Sequence, residues 1–168
     1  ATAGTAADPG RVYDGRCAQT TVFVPRLEGR VEIDGALDDS VWADAATLTG
    51  FSQYFPNDGV AAADSTEVRV WYSPTALHLG VRAFATQDDH VQFFLGTYGD
   101  SRQALVFDVN PFGIQADGVL TETGAASGGG FASSTPRSRE SADLAPDYVW
   151  QSKGRLHDDG YEIEIRIP

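Results

Sequence analysis

The sequence predicts an all-β fold, an antiparallel two-sheet β-sandwich of jelly-roll type with one long loop rich in Gly and Ser. Short segments alternate apolar and polar residues with a period of two, which places successive side chains on opposite faces of a sheet. Turns that contain Gly and Pro separate these segments, and the 18 glycines suit many short strands. Hydrophobic residues make up 42% of the 168 residues, which is enough for a packed core.

Residues 101–123 predict the central hairpin of this fold. The run 103–110 is apolar on both of its alternating faces apart from one acid, which indicates a central strand covered on both sides. An Asn-Pro-Phe-Gly turn follows, in which Pro111 fixes φ at about −65° and Gly113 can take a positive φ without steric cost. Residues 114–122 then run back as the second strand.

The other elements are predicted from shorter alternating runs, of which 67–72 and 76–84 form the clearest hairpin. In chain order they are an arm at 1–20, strands at 21–25 and 30–34, a helical turn within 36–46, and strands at 51–55, 67–72, 76–84, 91–95, 148–153 and 161–167. Residues 124–146 predict a long surface loop. We therefore expect an N-terminal arm (1–20) followed by a single β-sandwich domain (21–168).

The charge balance excludes some classes of partner. The formal net charge is −12, from 24 acids and 12 bases. Such a surface repels phosphate backbones and anionic lipids, so we expect neither nucleic acid nor a membrane surface as a partner. It would attract divalent cations, although the acids also serve simply to keep a secreted protein soluble.

Three further features bear on the cellular location. Cys17 is the one cysteine, so no disulfide can form within the chain. No apolar run approaches the roughly 20 residues that a membrane-spanning helix requires. Residues 1–8 are rich in small side chains, which is typical of a mature terminus left after signal cleavage. We expect a secreted or cell-envelope protein.

Several motifs occur together in one order. They are VEIDGALDDSVW at 31–42, FSQ at 51–53, the hairpin at 66–83, the aspartate pair at 88–89, DVNPFGIQADG at 108–118, and a closing strand pair at 148–151 and 160–168. Together they resemble the family 9 carbohydrate-binding module. More specifically, they resemble the N-terminal domain of large secreted bacterial proteins in which such a module precedes a predicted outer-membrane β-barrel.

The resemblance covers residues 31–168 and departs from the family in two places. Only Ala85-Thr86-Gln87 precedes the paired aspartates, where family members usually carry a longer segment that often lines the binding face. The chain also stops at Ile167-Pro168, where relatives continue. The resemblance implies a non-catalytic carbohydrate-binding module whose partner is a glycan or polysaccharide. The alternative is a structural or protein-interaction domain that docks a partner chain, another copy or a β-barrel of a larger envelope protein.

The resemblance also implies calcium as a metal that braces the loops, because relatives of this module bind it. Hard cations need clustered oxygen ligands, and Asp88, Asp89 and Asp117 are the candidate ligands. The alternative is that the aspartate pair at 88–89 is a solvated turn and that Asp117 begins a turn or bulge. Zinc is not expected, since Cys and His show no ligand spacing.

A sugar-binding face needs flat aromatic side chains with polar groups beside them. Trp42 and Trp150 are expected in the core. Trp71 lies on the other face of its strand from Val68 and Val70, so we expect it to point outward. The candidate ligand-binding residues on this basis are Trp71, Arg69, Arg82, His78 and Tyr54. The alternative is that this face is a second buried face or a contact with a neighbouring domain.

No catalytic residue is predicted, and we expect that the chain is not an enzyme. The sequence contains no Gly-x-Ser-x-Gly elbow, Cys/His pair or phosphate-binding loop. Glu162 and Glu164 share a strand face at a separation of the order that glycosidases use, but alternating surface acids on a hairpin produce the same spacing. We expect both carboxylates to face solvent.

Overall fold

The structure is a computed structural model that describes residues 10–53, 59–62, 64–84, 90–96, 103–121 and 142–168. These residues form an all-β fold. The strands are β1 (Val12–Asp14), β2 (Ala46–Thr49), β3 (Thr66–Tyr72), β4 (Leu77–Ala83), β5 (Val91–Leu95), β6 (Gln103–Val109), β7 (Gln115–Thr121), β8 (Gln151–His157) and β9 (Gly160–Ile167), with short 3₁₀ helices at Gly15–Cys17 and Ser40–Asp44. Within the described ranges, no helix is long and apolar enough to cross a membrane.

The strands form two sheets that fall into two compact units. The first unit lies within Ala1–Asp89, Pro111–Gly113 and Trp150–Pro168, and it holds a six-stranded sheet in the order β1-β2-β3-β4-β9-β8. The second lies within His90–Asn110 and Ile114–Val149, and it holds the three-stranded sheet β5-β6-β7. All neighbouring strands are antiparallel except β1 and β2, which are parallel. The single-domain boundary at residue 21 stays a prediction.

A non-strand segment covers one face of the six-stranded sheet. Trp42, in the 3₁₀ helix, packs edge-on against Trp71 of β3 with ring centroids 6.2 Å apart. Leu27, Val31 and Leu37 complete this core cluster around the Trp pair. Gly80 of β4 makes room for the segment, since a Cβ there would lie only 2.5 Å from Leu37 and 3.1 Å from Trp42. Residues 27–45 therefore form a cover, which we call the covering segment.

The opposite face of the same sheet carries the alternating apolar residues that the sequence predicts. Val70 packs with Tyr13 and Ala46, and Val22 and Val24 join this cluster from a segment that is not a strand. Further along this face, Ile163 and Ile165 of β9 are buried, as their alternation predicts, and Tyr161 is buried with them. Ile167, which was also expected to face inward, is only partly buried at the end of the strand. Both predicted core tryptophans, Trp42 and Trp150, are buried, which confirms that expectation.

Several predicted strands are wrong, and their backbone hydrogen bonds explain why. Residues 21–25 and 30–34 contain no strand. At the end of the second run, the N–H groups of Asp34 and Gly35 donate to the Glu164 carboxylate instead of to a neighbouring strand. In the run 51–55, Ser52 makes only an isolated bridge to Ala61 among the described residues.

The N-terminal arm is also more regular than expected. Within residues 10–20, β1 pairs in parallel with β2, a strand that the sequence did not predict. Strands of three and four residues are too short for alternation to identify them.

The three-stranded sheet confirms the predicted central hairpin. β6 lies in the middle, paired with β5 on one side and β7 on the other. Phe107 of β6 stacks on Phe93 of β5 with centroids 5.3 Å apart. The turn closes as expected, with Gly113 at φ 80° and the Asn110 side chain accepting a hydrogen bond from the N–H of Ile114 at 3.0 Å. Residues 124–141 of the predicted loop lie outside the described residues.

Candidate functional site

The strand register places four of the predicted sugar-binding residues on one face of the six-stranded sheet. Arg69 and Trp71 lie two apart on β3, and Trp71 is directly opposite His78 of β4. Arg82 lies four residues further along β4 on the same face. Tyr54, the fifth candidate, lies outside the described residues.

The expectation that this face points outward is wrong at its centre. Trp71 is 0% exposed and His78 is 5% exposed. The cause is the covering segment, which places Trp42 and Leu37 over these strands. Period-two alternation identifies residues that share a face, but it does not reveal whether a loop lies on that face. Trp71 is therefore a core residue and cannot stack on a sugar in this conformation.

Trp71 and His78 form a stacked pair inside this core. Their rings are parallel within 2° and their centroids are 3.9 Å apart. His78 Nε2 lies 3.4 Å from the Ser73 hydroxyl, whereas His78 Nδ1 and Trp71 Nε1 have no hydrogen-bond partner among the described residues. Burial, assisted by the nearby Arg166 charge, lowers the pKa of His78 to about 4. The imidazole is thus neutral at physiological pH, as a buried structural histidine should be.

Arg69 and Arg82 remain accessible, but both are engaged with acids. Arg69 Nε lies 2.7 Å from Glu67 on its own strand. Arg82 lies 3.7 Å from Glu162 of β9, and its guanidinium sits 5.2 Å from the centre of the Phe84 ring. Exposed ion pairs of this kind contribute about 0–1 kcal/mol to stability. Among the described residues, the exposed aromatic ring at this end of the sheet is Phe84, and the Arg82 guanidinium lies over it.

Glu164 corrects a second expectation, because it is 0% exposed instead of facing solvent. One carboxylate oxygen accepts the N–H groups of Asp34 and Gly35 at 2.9 Å, and the other accepts the Trp42 indole N–H at 3.0 Å. Burial raises the pKa of Glu164 even though these hydrogen bonds favour its charged form. Its three donors come from the covering segment, so this carboxylate holds the loop on the sheet.

The calcium candidates are only partly within the described residues. Asp88 and Asp89 lie outside them. Asp117, on β7, accepts the N–H of Tyr148 at 2.8 Å through one carboxylate oxygen. Across the part of the chain that the structure describes, no group of three or more His, Cys, Asp or Glu side chains is arranged to hold a metal ion. The described residues alone therefore do not form a calcium site, and the metal stays a prediction.

A polar patch with an exposed aromatic ring lies on the three-stranded sheet. Gln92 of β5 is opposite Asp108 of β6, and Asp108 is in turn opposite Ala116 of β7. Phe94, two residues after Gln92, points to the same face and is 51% exposed. His90, just before β5, brings Nε2 to 3.6 Å from Asp108. We call these five residues the Phe94 patch.

Asp108 is the electrostatic centre of the Phe94 patch. Its Oδ2 accepts a hydrogen bond from the Gln92 amide at 3.2 Å. Burial raises the pKa of Asp108, while His90 and the Gln92 hydrogen bond act in the opposite direction. The patch thus combines an apolar ring, an amide, a carboxylate and an imidazole, a set that can bond hydroxyl groups around an apolar ring face.

Sequence reasoning missed this patch because β5 and β6 look like buried apolar strands. The available signal was the pair of polar residues, Gln92 and Asp108, within otherwise apolar runs. Only the pairing register shows that these two side chains are neighbours on one face.

Comparisons with known proteins find similarity in the fold. A family 9 carbohydrate-binding module from Caldicellulosiruptor kristjanssonii, solved in complex with cellotriose, matches with a TM-score of 0.53 and 18% identity over 85% of this chain and 65% of that chain. A structure of such a module from the same organism, in complex with glucose, matches with a TM-score of 0.53 and 17% identity over 84% of this chain and 68% of that chain. The chain has the fold of these modules.

This likeness confirms the predicted all-β, two-sheet fold class and the resemblance at the level of fold. No protein-family model matches the sequence, and the curated proteins give no match either. The chain spans 65% of the length of the first of the two solved modules.

Proposed function

We propose that this chain is a non-catalytic carbohydrate-binding module and that the Phe94 patch is its sugar-binding site. The observation that carries the proposal is the exposed Phe94 ring beside Gln92 and Asp108 on one sheet face. An aromatic ring binds the apolar C–H face of a pyranose, and amide and carboxylate groups bond its hydroxyls. This replaces Trp71 as the expected aromatic platform.

The spacing within the Phe94 patch suits a single sugar ring. Gln92 and Asp108 are directly cross-strand, with their side chains 3.2 Å apart, so they can bond neighbouring hydroxyls of one residue. Phe94 and Asp108 are diagonal neighbours on the face, a relation that spans about 7–8 Å between backbone positions. A sugar lying over Phe94 therefore reaches the carboxylate without displacing the hydrogen bond between Gln92 and Asp108.

The similar modules give the first ligands to test. Both were solved with sugars made of glucose units, cellotriose in one case and glucose in the other.

We further propose that the chain belongs to a larger secreted or cell-envelope protein and that calcium, held by Asp88, Asp89 and Asp117, braces its loops. The net charge of −12 and the Asp117 carboxylate are compatible with such a cation.

Calorimetric titration with glucose and cellotriose, in calcium and again in EDTA, tests these proposals. We expect saturable binding, and we expect Phe94→Ala to weaken it by roughly fivefold, since loss of an aromatic contact costs about 1 kcal/mol. Phe51→Ala, which truncates another exposed phenylalanine, is the matched control and should leave binding unchanged. Absence of binding by the folded protein, or equal losses in both variants, would contradict the proposed site. Equal affinity in calcium and in EDTA would show that sugar binding does not require calcium.

A further inference from the structure

The second compact unit is acidic in sequence. Its full range contains seven acids and three arginines. The acids that the structure describes are Asp108, Asp117, Asp143 and Asp147. The Phe94 patch thus belongs to a unit of negative net charge, which favours a cationic ligand over an anionic one.

Asp108 is the acid placed to meet such a ligand. Among the described residues, its partners are the neutral Gln92 amide at 3.2 Å and the His90 ring at 3.6 Å, and His90 carries a charge only when it is protonated. On the other side of Asp108, the cross-strand neighbour is Ala116, an exposed residue whose methyl group leaves room beside the carboxylate. A partly buried carboxylate that has no permanently charged partner forms its strongest hydrogen bond with a ligand that carries a positive charge.

The Phe94 ring also favours a positively charged ligand. An ammonium group held over or beside an aromatic ring is attracted by the negative face of the ring. Because Phe94 and Asp108 point to the same sheet face, one cationic sugar can use both groups. A carboxylate or sulfate on the sugar would instead meet Asp108 with like charge, which costs binding energy.

We infer that the Phe94 patch selects glycans with free amino groups, such as oligomers of glucosamine, over neutral and acidic glycans. This inference rests on the proposed function. The ammonium of the sugar donates a charge-assisted hydrogen bond to Asp108, while Phe94 covers the apolar face of the same ring. N-acetylation removes the charge and should remove the preference.

The test compares four trimers at slightly acidic pH, where the amino sugar is charged, on the whole chain and on its His90→Gln variant, in which no protonated imidazole can pair with Asp108. They are the trimers of glucosamine, N-acetylglucosamine, glucose (cellotriose) and galacturonic acid. We expect the glucosamine trimer to bind roughly tenfold more tightly than its acetylated form, and the acidic trimer to bind most weakly. The preference should decrease as salt is added.

Asp108→Asn locates the preference, and Asp158→Asn controls for net charge. Both variants lose one negative charge, but Asp158 lies in the exposed turn between β8 and β9 of the first unit. We expect the affinity ratio of glucosamine trimer to acetylated trimer to fall to about one in Asp108→Asn and to persist in Asp158→Asn. Circular dichroism checks that each variant is folded.

The outcomes separate the inference from the proposed function. Binding of cellotriose that Phe94→Ala weakens, with no preference for the glucosamine trimer, would overturn the inference and leave the proposed function standing. Loss of the preference in both Asp variants would attribute it to overall charge and would also overturn the inference. If no trimer binds to the folded protein, both fall.

Discussion

At the scale of single residues, Glu164 is the side chain that connects the last strand to the covering segment. The last strand supplies this carboxylate, and residues 34–42 supply its three hydrogen-bond donors. A buried carboxylate is costly unless its oxygens are hydrogen-bonded, and here both are. The motif at 31–42 thus has a physical explanation: Asp34-Gly35 presents two N–H groups, and Trp42 presents the third donor while it covers Trp71.

We expect Glu164→Gln to destabilise the protein by roughly 2–3 kcal/mol. Glutamine replaces one acceptor oxygen with an NH₂ group, which must face either the two backbone N–H groups or the indole N–H. Urea unfolding followed by tryptophan fluorescence measures the loss. Glu28→Gln makes the same change at an exposed position and should cost less than about 0.5 kcal/mol. Equal stability of the two variants would contradict the role given to Glu164.

At the scale of elements, the covering segment decides which face of the six-stranded sheet is open. Its side chains reach the sheet at Gly80, the one position of β4 where a missing side chain lets Leu37 and Trp42 approach the backbone. This explains why Trp71 and His78, on the strand positions beside Gly80, are core residues instead of surface residues.

Gly80→Val tests this packing, because its side chain would overlap Leu37 and Trp42. We expect a loss of roughly 1–3 kcal/mol in the free energy of unfolding, which is typical of overpacking in a core. The matched control is Gly96→Val, since a Cβ at position 96 meets no atom within 4 Å. A Gly80→Val protein as stable as the control would show that the segment can lift from the sheet without cost.

The elements also show what could be predicted from the sequence. Alternation and turn residues gave the β3–β4 and β6–β7 hairpins and the order of side chains on each face, because these depend on neighbouring residues. Coverage of a face depends on a segment far away in the chain, so the burial of Trp71 was not predictable from its strand. A single glycine in an alternating strand, Gly80, was the available signal of close approach.

The candidate site was missed for a related reason. Gln92 and Asp108 are separated by 16 positions in the chain and become neighbours only through the β5–β6 register. The sequence showed each of them as an isolated polar residue in an apolar strand. Because the register depends on the connection at residues 97–102, which lies outside the described residues, local pattern could not bring the two together.

At the scale of the whole molecule, stability should depend on pH through groups with opposite effects. An unfolded chain protonates His78 near the ordinary pKa of 6.5, whereas the folded chain does so only near 4. Between these values the unfolded state binds more protons, so His78 makes the free energy of unfolding fall as the pH falls. Glu164 and Asp108 act in the opposite direction, because burial raises the pKa of each carboxyl and acid then favours the folded state.

His78→Phe isolates the histidine contribution, since phenylalanine keeps a flat ring against Trp71 but cannot titrate. A pKa difference from 6.5 to about 4 corresponds to about 3 kcal/mol. We therefore expect the wild-type protein to lose roughly this amount relative to His78→Phe as the pH is lowered from neutral to about 4, measured by urea unfolding at each pH. His90, His157 and the carboxylates are common to both proteins, so their effects cancel in the difference. Parallel stability curves for the two proteins would mean that His78 takes up its proton without leaving the Trp71 stack.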